Sequence, residues 1–186
     1  MSTALEQVLL KFNAREATES TILDKFREIA NVALYGGYFL VNGETRIYPI
    51  EIEFYLHGER EKEPNWMTDK KMIHRNGKDK VPYFPNTGSL FPHTFGVDVT
   101  FENEKEEYRA SFLVRKYRYK KNGKTIANPT YLWEDIFGYN TFAGTGFVIK
   151  WIDEPSIVKD TITNTRLNLK GEDGKQDPKP WRFTKV

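Results

Sequence analysis

Cysteine is absent from the 186 residues, which excludes disulfides and thiolate metal sites. The three histidines, at positions 57, 74 and 93, are scattered too widely to indicate zinc. No apolar run approaches the roughly 20 residues of a transmembrane helix. The first residues, "MSTALEQVLLKF", lack the basic lead and long apolar stretch of a secretory signal. These absences predict a soluble protein of the cytoplasm that does not bind membranes.

A strong charge of one sign is also missing. The net charge is only +2, from 28 basic and 26 acidic residues, so nucleic-acid binding would have to depend on local patches. The glycines of "GTGF" lack the spacing of phosphate-binding or dinucleotide-binding loops, and no Ser–His–acid order is recognisable. Aromatic residues, in contrast, make up 15% of the chain. Large rings bury much area per residue, so this length and composition predict one domain with a compact aromatic core.

The amino-terminal third has helical periodicity. Apolar residues recur at helical spacing in "TALEQVLLKF" and in "ESTILDKFREIANVAL", and each stretch predicts a helix. The Gly36-Gly37 pair is expected to end the second helix. We therefore expect a helical segment over residues 1–36, followed by an α+β domain over residues 37–186, with the two packed as one domain.

Strand patterns dominate the remainder. Asn42-Gly43 lies between two β-rich arms and predicts a hairpin. The fold class is therefore α+β, with N-terminal helices followed by a curved, antiparallel-rich sheet. Residues 57–95 are rich in charge, Gly, Pro and His, and are expected to form one long irregular excursion. The other expected elements are strands at 95–101, 108–119 and 144–152, a turn at 120–124, and a short helix in "NPTYLWEDIFGY".

One strand carries the most informative residues. In "IEIEFYLHG" (50–58), alternation places Glu51, Glu53 and Tyr55 on the face opposite an apolar one. Glu51 adjoins the hairpin and is expected to be solvated. Glu53 lies among apolar neighbours and is expected to be partly desolvated, as a general base would be. A simple solvated face is the alternative for both acids.

Two later strands each contain a charged residue among apolar ones. Asp98 lies in "GVDVTF", and Arg115 lies in "SFLVRKY". Burying either charge is costly unless it is paired. We therefore expect an ion pair of Arg115 with either Asp98 or Glu53, which either closes the core or forms part of a site.

Two basic stretches, residues 70–80 and 115–124, contain or adjoin aromatic residues. Basic side chains beside aromatic rings are suited to phosphate contacts and base stacking, although a solvated surface is the alternative. The candidate nucleic-acid contacts are Lys70, Lys71, Arg75, Lys78, Lys80, Tyr83, Arg118 and Lys120.

Taken in chain order, these segments resemble the 3-methyladenine (alkyladenine) DNA glycosylase family over about residues 38–186. "EIEFY" (51–55) is similar to the family's Glu-Thr-Glu-Ala-Tyr strand. "FGVDVTF", "SFLVRKY", "TRLNL" and "KPWRF" follow in the family's order. The amino-terminal part and the excursion are closer to small bacterial relatives of unproven activity.

The resemblance implies a monomeric, monofunctional DNA-repair enzyme that needs no metal or cofactor. It would bind double-stranded DNA, flip a modified base into a pocket and hydrolyse the base–sugar bond. By position, Glu53 would activate water and Arg115 would orient it. Tyr55, His74 and Asp98 would bind the base, with Asp98 standing where the family has asparagine.

This sequence also departs from the family pattern. Pro64 stands eleven residues past the catalytic acid, where the family has a histidine. The wedge residue that fills the vacated duplex position has only Tyr83 or Phe84 as candidates. Asp98 favours a cationic or alkylated base over a neutral deaminated purine. Two alternatives stay open: an inactive nucleic-acid or nucleotide binding module on the same fold, and an N-glycosidase of free nucleosides or nucleotides.

Overall fold

The structure is a computed structural model, and it describes residues 2–58, 69, 82–119, 123–137, 148–157, 160–170 and 174–186. Over these residues the chain is α+β, a single domain with three α-helices and one curled antiparallel sheet. The predicted fold class is confirmed at this level. None of the helices in the described part of the chain is long and apolar enough to cross a membrane.

Two helices come first, as predicted. Helix α1 spans Ala4–Lys11, and the Thr3 side chain caps it by accepting a hydrogen bond from the Glu6 amide at 3.2 Å. After a short 3-10 turn at Ala14–Glu16, helix α2 spans Ile22–Tyr35 and ends at Gly36. The apolar face of α2 packs on the sheet, where the Phe26 ring stacks on Phe54 with centroids 4.4 Å apart.

The strands follow in chain order. The predicted hairpin is confirmed, with Asn42 and Gly43 at φ of 51° and 75° in its turn. A third helix, α3, spans Pro129–Phe137 between the sixth and seventh strands. The strands are β1 (Gly37–Val41), β2 (Thr45–Gly58), β3 (Leu90–His93), β4 (Gly96–Thr100), β5 (Tyr108–Tyr119), β6 (Thr125–Ile126), β7 (Ile149–Asp153), β8 (Thr161–Asn164) and β9 (Arg182–Lys185).

Strand β2 organises the sheet. The main path runs β3-β4-β5-β2-β1-β7, and β2 pairs with β5 along nearly its whole length. Its other edge is shared: residues 45–47 pair with β1 and residues 51–53 pair with β9. Strand β8 extends the β9 branch. Because the two branches leave the same edge of one strand, β2 lies at the centre of the fold.

The predicted irregular excursion is wrong at both ends. Strand β2 continues to Gly58, and β3 occupies Leu90–His93. Pro92 in "LFPH" indicated a loop, but β3 is an edge strand of the described sheet, where a residue without an N–H is tolerated. The short strands β6 and β8 were not predicted either, since two to four residues carry too little periodicity.

The two faces of the sheet differ in character. Phe54, Phe112 and Phe183, each 0% exposed, lie on the face that packs against helix α2. Alternation places Glu53 and Tyr55 of β2 on the opposite face. Both polar side chains are nevertheless buried there, so the second face is also covered.

Candidate functional site

The site lies on the second face, where three neighbouring strands bring polar residues into register. Glu53 of β2 pairs with Leu113 of β5, and Leu113 pairs with Asp98 of β4. In the same way Tyr55 pairs with Ser111. Neighbouring strands lie ~4.8 Å apart, so the backbones of Glu53 and Asp98 are about 10 Å apart with one strand between them. Residues that are far apart in the sequence therefore share one buried surface.

Glu53 is 0% exposed and accepts three hydrogen bonds. Its Oε1 receives the Tyr55 hydroxyl and Nη1 of Arg115, the latter at 3.3 Å. Its Oε2 receives the Leu167 amide at 2.8 Å. The predicted Glu53–Arg115 ion pair is therefore confirmed, with the Arg115 side chain 15% exposed.

The two oxygens of Glu53 are not equally engaged. A carboxylate oxygen can accept about two hydrogen bonds. Oε1 accepts two, whereas Oε2 accepts one, from Leu167, among the residues that the structure describes. Oε2 therefore has one acceptor position that no described residue fills.

Tyr55 acts as a neutral donor to Glu53. Burial, reinforced by the adjacent Glu53 charge, raises the pKa of the Tyr55 hydroxyl well above 10. The phenol therefore keeps its proton throughout the physiological range. The guanidinium of Arg166 lies 5.3 Å from the Tyr55 ring centroid, so one face of the ring that is predicted to bind the base contacts this cation.

Asp98 is buried, and its contacts include two side chains of the described residues. The Ser111 hydroxyl donates to Oδ2 at 2.8 Å, and Nε2 of His93 lies 3.1 Å from Oδ1. The Phe95 amide donates to Nδ1 of His93 at 3.2 Å. This contact makes Nδ1 an acceptor, which is consistent with the Nε2 N–H donating to Asp98.

His93 was not predicted to be part of the site. It lies five residues before Asp98, with the turn of a tight hairpin between them, and this spacing could have revealed the pair. His93 is also part of an aromatic row along β3, with ring centroids 5.6 to 6.1 Å apart, formed by Phe84, Phe91, His93 and Phe95.

Glu51 is not solvated as predicted, being 1% exposed. It accepts hydrogen bonds from Lys116 at 2.7 Å, Thr184 at 3.0 Å and Arg182 at 3.4 Å. Burial raises its pKa, but these partners outweigh burial and lower the pKa below its ordinary value of 4.5. A register irregularity in the β2–β5 pairing lies at this residue, and strand β9 covers it, which local sequence does not reveal.

A buried ion-pair cluster behind Tyr55 was missed by the sequence argument. Arg166, with a 0% exposed side chain, pairs with Asp69 and Asp177, and Lys179 lies 3.7 to 3.9 Å from both carboxylates. Burial raises the pKa of Asp177, but Arg166 outweighs it and lowers the pKa below the ordinary 3.8. The arginine in "TRLNL" was visible, but its partners lie 97 and 11 residues away.

The other predicted contacts fall outside this constellation. Arg118 is exposed and lies beside Tyr48, with 5.9 Å from its Cζ to the ring centroid, and lines a groove at the carboxyl end of α2. Tyr83 stacks on Arg109, with 3.9 Å from Cζ to the ring centroid. The remaining predictions lie outside the described residues: Pro64, Lys70, Lys71, His74, Arg75, Lys78, Lys80 and Lys120.

Within the described ranges, no group of three or more His, Asp or Glu side chains is arranged to hold a metal ion. A scan against protein-family models and searches of curated proteins and of solved structures found no match to this chain.

Proposed function

We propose that this chain is a DNA N-glycosylase that hydrolyses the bond between a modified base and its sugar, with Glu53 activating the attacking water. The observation that carries the proposal is the environment of Glu53. Among the described residues, this fully buried carboxylate pairs with one cation, Arg115, and accepts one hydrogen bond at Oε2, which leaves one acceptor position there. Tyr55 and Leu167 fix its orientation.

The proposed chemistry uses each of these contacts. Glu53 accepts a proton from water as the water oxygen bonds to the anomeric carbon, and the bond from that carbon to the base nitrogen breaks. The carboxylate charge also stabilises the oxocarbenium-like sugar in the transition state. Arg115 donates to the Glu53 carboxylate at 3.3 Å and orients it. The base would reach this site only after rotation out of the duplex.

A cationic, alkylated base is the substrate class that the donors support. The bond electrons neutralise such a base as it leaves, so no proton has to be supplied. The Tyr55 hydroxyl already donates to Glu53, and the His93 N–H already donates to Asp98. A substrate that needs no proton donor therefore fits these contacts. Asp98 and Glu53 also place two carboxylates on one face, which favours a positive charge. Equal release of hypoxanthine and alkylated bases by the pure protein would contradict this preference.

The first experiment compares wild type with Glu53→Gln on duplex DNA that contains a single alkylated base. Abasic sites are converted to strand breaks by alkali and counted. We expect Glu53→Gln to lower the rate of base release at least about 100-fold, the usual contribution of a general base.

Glu51→Gln is the matched control. Glu51 lies two residues away, is also buried, and also pairs with cations. It should lose stability comparably but keep its rate of release per folded molecule. Similar losses in both variants would show that disrupting a buried ion pair, and not the loss of a base, explains the effect.

A catalytically inactive nucleic-acid or nucleotide binding module is the second candidate, favoured by the 0% exposure of Glu53. In that case the Glu53–Arg115 pair only compensates buried charge on this face of the sheet and has no catalytic role. The same assay distinguishes the candidates. Absence of base release by both wild type and Glu53→Gln, with equal DNA binding, favours the module.

The weak net charge of +2 favours a third variant of the proposal, an N-glycosidase of free nucleosides or nucleotides. Salt dependence separates it from a duplex enzyme. A protein that neutralises several phosphates loses affinity steeply between 50 and 200 mM salt, by roughly 10³-fold for six contacts. A nucleoside enzyme should show almost no such loss.

A further inference from the structure

Arg166 lies directly behind the candidate site and uses all of its hydrogen-bonding capacity. We propose that Arg166 is a positioning residue for Glu53, which it orients through the Leu167 amide and the Tyr55 ring. The consequence for catalysis depends on the function proposed above, whereas the positioning itself does not.

The guanidinium is fixed in every direction in which it can donate. Nη1 donates to the Phe54 carbonyl at 3.2 Å and to Asp69 Oδ2 at 2.8 Å. Nη2 donates to Asp69 Oδ1 at 2.6 Å and also to Asp177, while Nε donates to Asp177 Oδ2 at 3.0 Å. A guanidinium has five N–H donors, and these five contacts use all of them. The side chain therefore has one orientation.

This fixed side chain determines the position of the next peptide. The carbonyl of Arg166 and the amide of Leu167 belong to one peptide plane. The carbonyl accepts a hydrogen bond from the Gln176 side chain, and the amide donates to Glu53 Oε2 at 2.8 Å. With the Arg166 side chain held by β2 and by Asp177, the plane is held at both edges, and the Leu167 N–H points at Glu53.

Arg166 also contacts the second donor. Its Cζ lies 5.3 Å from the Tyr55 ring centroid and 5.0 Å from that of Trp181. The Tyr55 hydroxyl donates to Glu53 Oε1. A guanidinium against the ring face restricts the ring to the orientation in which its hydroxyl reaches the carboxylate. Two of the three donors to Glu53 thus depend on Arg166.

The mechanism is positional, because the cluster has no net charge. Arg166 and Lys179 contribute two positive charges, and Asp69 and Asp177 contribute two negative ones. The sum is zero, so Arg166 adds little to the field at Glu53. Of the residues that the structure describes, Arg115 is the cation that pairs with Glu53 directly.

Arg166→Lys tests the proposal, since lysine keeps the charge but cannot reach both carboxylates and the Phe54 carbonyl at once. The readout is the Leu167 amide proton in an NMR spectrum of the folded protein. Glu53→Gln serves as the reference for loss of the charged acceptor. We expect Arg166→Lys to move this resonance upfield by more than half of the Glu53→Gln shift.

Arg109→Lys is the matched control. Arg109 is also buried and paired with a carboxylate, Glu102, at 3.7 Å, but it lies four residues further along the sheet, opposite His57. It should lower the melting temperature and leave the Leu167 resonance unchanged. A wild-type Leu167 resonance in folded Arg166→Lys overturns the proposal and assigns Arg166 a purely structural role.

Asp177→Asn decides the question if Arg166→Lys does not fold, because it keeps the Asp69 pair and removes one charge. We expect a smaller upfield shift of the same resonance, and no shift overturns the proposal. With an active protein, Arg166→Lys should lower kcat roughly 100-fold with little change in KM, as expected for a misplaced catalytic group. Absence of base release in wild type contradicts the proposed function alone, since the NMR result still stands.

Discussion

Glu51 and Glu53 lie two residues apart on the same face of β2, yet their carboxylates have different hydrogen-bond and ion-pair partners. Glu51 interacts with two cations, Lys116 and Arg182, and with a hydroxyl. Glu53 interacts with one cation, a phenol and an amide, and Oε2 accepts only one of these contacts among the described residues. A carboxylate held by two cations is a poor proton acceptor, which is why the proposed water activation is assigned to Glu53 and not to Glu51.

At this scale, we predict that Tyr55→Phe destabilises the protein by about 2 kcal/mol. The change leaves a buried, charged oxygen without one of its donors, which is costly in a low-dielectric interior. Urea unfolding monitored by tryptophan fluorescence measures the loss.

Tyr48→Phe is the control for Tyr55→Phe. The Tyr48 hydroxyl donates at 2.8 Å to Glu154, whose side chain is 45% exposed. Water replaces that hydrogen bond, so the cost should stay below about 0.5 kcal/mol. Equal effects of the two substitutions would contradict the buried geometry of the Glu53 site.

At the scale of elements, helix α3 packs closely on the sheet at a glycine. A Cβ on Gly96 of β4 would lie 2.9 Å from the Pro129 carbonyl oxygen and 2.9 Å from the Leu113 side chain. Gly96 also has a φ of +137°, which other residues rarely adopt. The close approach lets Leu132 and Ile136 of α3 become buried. The helix thereby covers one end of the polar face that contains Asp98.

Gly96→Ala is therefore expected to destabilise the protein by about 3 kcal/mol, from backbone strain together with displacement of α3. Gly43→Ala provides the comparison, because Gly43 also has a positive φ, +75°, but nothing lies within 4 Å of its added Cβ. That variant should cost only the strain, about 1 kcal/mol. Thermal unfolding measures both. A Gly96→Ala cost no larger than that of Gly43→Ala would show that α3 does not pack at this position.

At the scale of the whole molecule, buried ion pairs join segments that are distant in the sequence. Lys116 of β5, Arg182 of β9 and Glu51 of β2 form one such group. Arg166 and Asp177 form another with Asp69. Both groups connect the carboxyl-terminal segment to β2. Ionisation of a few carboxylates therefore contributes to the stability of the entire fold.

This arrangement predicts how stability depends on pH. The folded-state pKa values of Glu51 and Asp177 are lowered from 4.5 and 3.8, so the folded state binds fewer protons than the unfolded state. Their contribution is fully present above about pH 5 and is lost as the pH falls through the lowered values. The free energy of unfolding in urea should therefore be constant from pH 7 to 5 and decrease below pH 4.5.

Glu51→Gln should reduce the decrease in the free energy of unfolding at the higher-pH end of this acid range, since it removes one of the responsible groups. Asp177→Asn should reduce the decrease in the free energy of unfolding at the lower-pH end of the same range. A decrease identical to that of wild type in both variants would show that other carboxylates cause the loss of stability.

Local sequence was enough to predict most elements of this protein. The period of "ILDKFREIANVAL" predicts α2, Asn42-Gly43 predicts the hairpin, and alternation in "IEIEFYLHG" places Glu53 and Tyr55 on one face. Each of these features depends on residues within a few positions of one another. The pairing of Arg115 with a carboxylate also followed, because a charge in an apolar strand must be compensated.

Only the tertiary structure decided which partners each carboxylate binds. Strand β9 covers Glu51, and the segment containing Leu167 reaches Glu53, 114 residues away in the sequence. Arg166 meets Asp69 across 97 residues. Burial and pairing at such distances depend on how the sheet curls, and no local period carries that information. Sequence therefore determined the faces of the strands, and packing determined the chemistry of each acid on them.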